Sequence, residues 1–324
     1  MITVYSSEEG ALRASPPGGV SPDRIVWVDM LRPDMEERRM VEEWLGLELP
    51  TREEMQEIEV SNRLYAEDFA LYMTATVMTK LDTDSPEITA ITFILKGGQL
   101  VTVRHEEPKA FPIFVARASR PKSGARDGLS VMMGLLDVNV DRVADTLERI
   151  ATKLDQITTQ VFNARKRAYA SSQRFYNSTM TEIGWLGDLD SKARESLVSL
   201  NRLLTFLRQN LRGKPGAEEA YGLIKTQLAD TISLTDHATF LSQKISFLLD
   251  AVLGLINMEQ NAIIKIFSVA AVVFLPPTLI ASVYGMNFDV MPELSWRYGY
   301  PWALGLMVLS AILPYVIFKR RGWL

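Results

Sequence analysis

The sequence predicts an α+β cytoplasmic domain, a mixed sheet flanked by helices, followed by a long stalk helix and two transmembrane helices. Three observations predict it. Short β-branched and aromatic runs, separated by turn residues, fill the first third of the chain. From about Asp127 the composition turns to Leu, Met, Ala, Arg, Glu and Gln, with apolar residues three and four apart, the period of packed helices. Near the C-terminus, residues 266–286 and 298–318 form two uncharged stretches of 21 residues each. About 20 apolar residues cross a bilayer core as a helix.

Taken in order, residues 25–29 (IVWVD) read as a strand, and Pro33 opens a helical pattern that runs through Leu45 to Gly46. Segments 69–80, 88–95 and 99–104 read as strands, the last two joined by a hairpin turn at Gly97-Gly98. In the helical region, Gly213-Lys214-Pro215-Gly216 is the strongest break, so one helical hairpin turn is expected there. No proline occurs between Glu218 and Pro276. One helix can therefore run from the stalk into the first span, some 65 residues or roughly 100 Å at ~1.5 Å per residue. Such a rod cannot bury its apolar stripe alone and implies neighbours, copies of itself first among them.

These patterns divide the chain into an α/β domain (1–126), a helical hairpin and stalk (127–264), a first span (265–286), an outer loop (287–297), a second span (298–318) and a basic tail (319–324). The tail carries Lys319, Arg320 and Arg321, and Lys265 opens the first span ahead of its uncharged stretch, while the loop between the spans holds Asp289, Glu293 and Arg297. The positive-inside rule places both termini in the cytoplasm and the loop outside, as expected of a multi-pass protein of a bacterial inner membrane. Trp296, Tyr298, Tyr300 and Trp302 cluster where the second span meets the outer interface, as an aromatic belt does. No signal peptide is seen at MITVYSSEEG.

Composition excludes several classes. With no cysteine and only His105 and His237, disulfides, thiol catalysis, thiolate zinc sites and haem ligation are not expected. The formal net charge of −4 argues against a nucleic-acid partner. Residues 265–324 hold five basic and two acidic side chains, net +3, which leaves −7 for residues 1–264. An acidic cytoplasmic part suits divalent cations, and equally suits ordinary solubility. No GxxxxGK[ST] loop is present, so ATP has no visible site, and no nucleophile, triad or cofactor motif suggests an enzyme.

The first span has an ordered face. Thr278 and Ser282 are four apart, and the same face continues through Leu275, Ala271, Phe267, Ile264 and Asn261 at spacings of three and four. A small or weakly polar stripe suits a helix that lines a pore on a symmetry axis, and it also suits helix packing. Pro276-Pro277 removes two amide hydrogens and leaves carbonyls near Val272 and Val273 without partners, so a bend is expected there. At the outer end, Gly285, Met286 and Asn287 follow Tyr284. Gly and Asn favour helix C-caps, where the last carbonyls and the negative dipole end attract a cation.

Gly285-Met286-Asn287 together with Met291-Pro292-Glu293-Leu294 resembles the CorA family of magnesium channels, with its GMN signature and MPEL loop. The likeness extends through GLINMEQNAIIKIFSVAAVVFLPPTLIASVYGMNFDVMPEL, the following WRYGYP and the terminal FKRRGWL, and the order of regions matches over the whole chain. The resemblance implies a CorA-like fold and a homopentamer with a funnel-shaped cytoplasmic domain, the first span lining the pore and the second surrounding it. It implies that Asn287 forms the outer polar ring with the Gly285 carbonyl and Met286 beside it. Thr278 and Asn261 would form further polar rings, and Ile264, Phe267 and Leu275 apolar constrictions. Relatives often carry methionine at the constrictions, so Ile264 and Leu275 preserve the apolar character but not the side-chain shape. Glu293 would concentrate cations at the mouth.

The implied function is a gated channel for Mg²⁺ uptake, with Co²⁺ and Ni²⁺ as passengers, driven by membrane potential and closed by intracellular Mg²⁺ bound between adjacent cytoplasmic domains. Candidate regulatory carboxylates are Asp230, Asp236 and Asp250 on the stalk and Asp82 and Asp84 in the loop before Ile88; each reads first as a solvated surface carboxylate. The alternatives are a Zn²⁺/Ni²⁺ importer of the related zinc-transporting branch, possibly proton-coupled, and a non-conducting membrane-anchored metal sensor. No Asp, Glu, His, Lys or Arg lies within residues 266–286 or 298–318, which counts against a proton relay.

Overall fold

The computed structural model describes residues 1–324 except 20, 58, 84, 122, 164–168, 214–217, 288–290, 293–294 and 322–324. It divides into two compact units, Met1–Leu248 and Leu249–Leu324.

The first unit is built on seven strands: β1 (Ile2–Glu8), β2 (Ala11–Ser15), β3 (Ile25–Leu31), β4 (Leu64–Glu67), β5 (Ala70–Thr79), β6 (Glu87–Lys96) and β7 (Gln99–Arg104). They form one mixed sheet in the order β2-β1-β3-β7-β6-β5-β4. Only β3 and β7 pair in parallel; the other neighbours are antiparallel. Gly97 and Gly98, with φ of 57° and 88°, close the β6–β7 hairpin, the left-handed pair that a tight two-residue turn needs. Strand β5 begins at Ala70 rather than at Phe69, because Asp68 and Phe69 (φ 45° and 60°) form the turn after β4.

Helices cover both faces. On one side lie α1 (Met35–Leu45) and α2 (Arg52–Gln56), and a short α3 (Val60–Arg63) precedes β4. Helix α1 starts one residue later than Pro33 suggests. Asp34 is the N-cap and accepts from the Glu36 and Glu37 amides, Glu37 answers the Asp34 amide, and Gly46 closes the helix at φ 58°. This side buries Val4, Val28, Met30, Val41, Met55, Tyr72, Ile94 and Val101. On the other side α4 (Ala110–Ala118), α5 (Gly128–Asn163) and α6 (Tyr169–Leu211) enclose Trp27, Phe93, Phe111, Phe114, Met132, Leu135 and Leu203. Neighbouring strand residues such as Phe93 and Ile94 go to opposite cores, as period-2 geometry requires of a sheet covered twice. Gly128 admits no side chain: a Cβ there would lie 2.4 Å from the Leu100 amide nitrogen.

A buried polar chain ties the central strands. The Trp27 indole donates to Thr102 (2.9 Å), and the Thr102 hydroxyl donates to Asp29 (2.8 Å). Asp29 also accepts from Arg104 Nε at 2.9 Å and from its Nη2 at 2.7 Å. Arg104 lies 4.4 Å over the Phe111 ring.

The region after Asp127 holds three long helices among the described residues, and the expected turn at 213–216 lies largely outside them. The first ends at Asn163 and the second begins at Tyr169, and no glycine or proline marks that division. Helix α7 (Glu218–Tyr284) runs 67 residues with Pro276 and Pro277 inside it. Within the first unit, Gln227 of α7 donates to the Met133 carbonyl of α5 (3.0 Å), and Asn201 of α6 donates to Thr231 (3.1 Å). The second unit contains the rest of α7 and α8 (Gly299–Arg320).

Candidate ion pathway

Apolar helices with no covering protein dominate the second unit. None of the residues in the most apolar window of α7 is buried, and 6% of those in α8 are. Hydrocarbon, not protein, is the solvent such surfaces fit.

The exposed surface of α7 is not uniform. Asn261, Ile264, Phe267, Ala271, Leu275, Thr278 and Ser282 are all exposed along one face. At about 100° per residue, the half-buried positions Val269, Val273, Pro276, Pro277, Ile280 and Tyr284 centre on the opposite side. A cavity of about 160 Å³ between the two helices is lined by Ile264, Lys265, Ser268, Val269, Val272 and Val273 of α7 and by Tyr315 and Phe318 of α8. Of the stripe, only Ile264 reaches that cavity. The stripe therefore points away from the second span.

Local chemistry along it is specific. The Thr278 hydroxyl donates to the Phe274 carbonyl (2.7 Å), which fixes its rotamer and leaves the oxygen lone pairs directed outward. Pro276 and Pro277 have no amide hydrogen to give the Val272 and Val273 carbonyls. The helix ends at Tyr284. Beyond it, the Gly285 amide donates to Ala281 (2.9 Å) and that of Met286 to Val283 (3.3 Å). Gly285 ends the helix without a left-handed φ; a Cβ there would lie 3.2 Å from the Ala281 carbonyl oxygen. Met286 and Asn287 are exposed at this tip. Glu293 of the outer loop lies outside the described residues. Trp296 packs edge-on against Tyr298 (6.1 Å) and Trp302 (6.4 Å), an aromatic group at the start of α8.

The acidic candidates are scattered. Asp230, Asp236 and Asp250 are exposed on α7, and Asp84 lies outside the described residues. Asp82 is held by Lys109 (2.6 Å) and Arg142 (3.4 Å), and the Lys109 hydrogen bond pulls its carboxyl below the usual range. Asp141 on α5 is raised by burial and then by Asp137, with Asp145 and Asp230 adding to the effect. Among the described residues, no three His, Asp or Glu side chains converge on a metal site within one chain. His105 buries an unpartnered Nε2, and burial lowers its pKa; His237 stacks on Phe240 (6.2 Å). The orientation of the stripe relative to α8 is the feature that the sequence alone does not reveal.

A mixed α+β unit followed by two uncovered apolar helices, each long enough to cross a bilayer, fits the class of membrane proteins. The match to the family model described as "CorA-like Mg2+ transporter protein" covers residues 22–320, and the chain belongs to that family. It is 35% identical over 325 residues to the magnesium transport protein CorA of Pasteurella multocida, with 100% of both chains covered. Against that of Escherichia coli K12 it is 36% identical over 299 residues, 92% of each chain. The structure of the CorA magnesium transporter from Methanocaldococcus jannaschii superposes with a TM-score of 0.78 at 18% identity, covering 100% of this chain and 99% of that one, which establishes the shared fold. Proteins of this family are ion transporters, not enzymes.

Proposed function

We propose that the chain assembles as a homopentamer forming a gated Mg²⁺ channel across the bacterial inner membrane, with Co²⁺ and Ni²⁺ as further permeants. The observation that carries this reading is the stripe from Asn261 to Ser282, exposed on the side of α7 away from α8 and ending at Gly285-Met286-Asn287. A helix that lines a symmetric pathway, with α8 outside it, presents such a face. The naming of the relatives as magnesium transport proteins supports the choice of ion.

Two spans cannot enclose a pathway, so several copies must share one. In the pentamer, Asn287 amides and Gly285 carbonyls at the outer tip hold Mg²⁺ through its own waters. Mg²⁺ dehydrates reluctantly, and neutral oxygens release it faster than a ring of carboxylates does. Glu293 raises the local cation concentration before entry. Asn261 and Thr278 supply polar rings, and Ile264, Phe267 and Leu275 the apolar constrictions that close by dewetting. Ala271 and Ser282 keep the wall narrow. A +2 ion gains about 4.6 kcal/mol per 100 mV of inside-negative potential, an accumulation on the order of 10³-fold, so no ATP is required.

Residues 1–126 and 127–264 then form the cytoplasmic part, 287–297 the periplasmic loop and 319–324 the cytoplasmic tail. Closure by internal Mg²⁺ draws on carboxylates from adjacent subunits. Asp230, Asp236 and Asp250 stand exposed for that purpose, Asp84 belongs to the same candidate set, and Asp82 must first exchange Lys109 and Arg142 for the ion.

The test is flux into liposomes loaded with a Mg²⁺-sensitive dye, under an inside-negative potential. Mg²⁺ entry that follows the potential and falls with internal Mg²⁺ is expected. Preference for Zn²⁺ with dependence on a proton gradient points instead to a zinc-type importer, and absence of flux to a membrane-anchored sensor.

A further inference from the structure

Strand β5 is ten residues long and its outer neighbour β4 only four. Pairing with β4 stops at Met73, so the outer edge of β5 beyond it has no strand partner. Helix α6 stands against this edge, and the Thr76 amide donates to the Ser199 hydroxyl at 2.8 Å. Between them lies a cleft of about 400 Å³. Its floor is Thr74 and Thr76. Its wall is one face of α6, with Ser191, Arg194, Glu195 and Arg202 at helical spacing, and Arg63 closes one end from the last residue of α3.

The charges in this cleft are unbalanced. Three arginines face one carboxylate, Glu195. Among the described residues, the arginine ion pairs involve Arg13, Arg32, Arg38, Arg104, Arg117 and Arg142, and none of the three here. Arg63 donates through Nη2 to Thr76 (2.9 Å), yet its Nε is buried with no partner. Burial chiefly, and then the nearby Arg202, lower its pKa against the pull of Glu195. Buried guanidinium donors are normally satisfied, and clustered cations repel. An oxyanion relieves both conditions.

The geometry points to a binding site for a compact phosphate-bearing anion in the cleft between β5 and α6. Guanidinium forks match phosphate oxygens two at a time, and the hydroxyl of Ser191 is placed among them, while that of Thr74 pairs with Thr92 (2.8 Å). Among the described residues no aromatic ring lines the cleft, which favours recognition of the phosphate group over a stacked base. The site lies wholly in the first unit and stands independently of the permeation reading.

The experiment is titration calorimetry of the full-length protein in detergent, without Mg²⁺ and at constant ionic strength. Inorganic phosphate and glycerol phosphate are the two ligands, and chloride is the control. Saturable binding of one phosphate per chain is expected, with the tighter of the two ligands distinguishing free phosphate from a phosphate ester. Arg194 and Arg202 are exposed, so R194Q and R202Q keep the fold, checked by melting, while each weakens binding by about 10-fold or more, as loss of a charge-assisted hydrogen bond predicts. E195Q removes the opposing charge and tightens binding. R117Q, whose arginine pairs with Asp137 elsewhere, leaves it unchanged. Binding no stronger than that of chloride, equal affinity in the R194Q/R202Q double variant, or weaker affinity in E195Q overturns the assignment.

Discussion

Helix α5 and the membrane half of α7 are both rich in apolar side chains and treat them in opposite ways. Helix α5 buries sixteen of its 36 residues, densely between Val131 and Val140 and then every three or four positions to Val161. The apolar window of α7 buries none. A periodic stripe finds its partners inside the same chain, as α5 does in the core with α4 and α6. A helix apolar on all sides has no such partner and depends on lipid and on other copies of itself. The difference teaches where function resides. Buried polar residues of α5 such as Asn139 and Thr146 are hydrogen-bonded within the helix, whereas Asn261, Thr278 and Ser282 of α7 are exposed along one face.

The contrast breaks most sharply at the tip of α7. Asn287→Ala is expected to reduce Mg²⁺ flux into liposomes to the background of empty vesicles while cross-linked oligomers remain intact. Unchanged flux removes Asn287 from selectivity. In the first unit the corresponding change is to folding. Asp29→Ala leaves the buried Arg104 guanidinium without its carboxylate and is expected to cost about 3–5 kcal/mol, read as a large fall in melting temperature of the full chain.

A smaller effect is expected at Asp190, which is 2% exposed with an unpartnered Oδ1. Burial pushes its pKa up to about 6, against the opposing pull of Arg194. The folded state thus holds this proton more tightly than the unfolded chain. Its contribution to stability is full below the unfolded value of 3.8 and is lost as pH rises through about 6. Asp190→Asn should remove that slope and raise stability at pH 7.5 by up to about 3 kcal/mol, at 1.36 kcal/mol per pKa unit, with little change at pH 4. Melting curves across this range check the sign. The mildest change is Thr278→Val, which keeps the helix and deletes one hydroxyl from the exposed stripe. Under the proposed channel, a flux reduction of a few fold is expected, smaller than at Asn287.

Much of this architecture is legible in the residues themselves. The spans announce themselves by length and lack of charge, the strands around Trp27 and Phe93 by β-branched runs, and the outer tip by Gly285-Met286-Asn287. Three kinds of feature escape. Short edge strands such as β2 and β4 carry too few residues for a pattern. The division between Asn163 and Tyr169 has no glycine or proline to betray it. Long-range pairings, the parallel β3–β7 ladder and the meeting of Arg63 with Arg202, depend on topology that no local window contains. The stripe on α7 is visible as a period, but its orientation away from α8 emerges only when both helices are placed.

The unbroken run of α7 from Glu218 to Tyr284 makes length itself a constrained quantity. Inserting one residue between Leu249 and Asn261 would turn the helix beyond it by about 100° and advance it by ~1.5 Å. A flexible linker would forgive such an indel. In a continuous helix the number of residues, more than their composition, fixes which face a later side chain occupies.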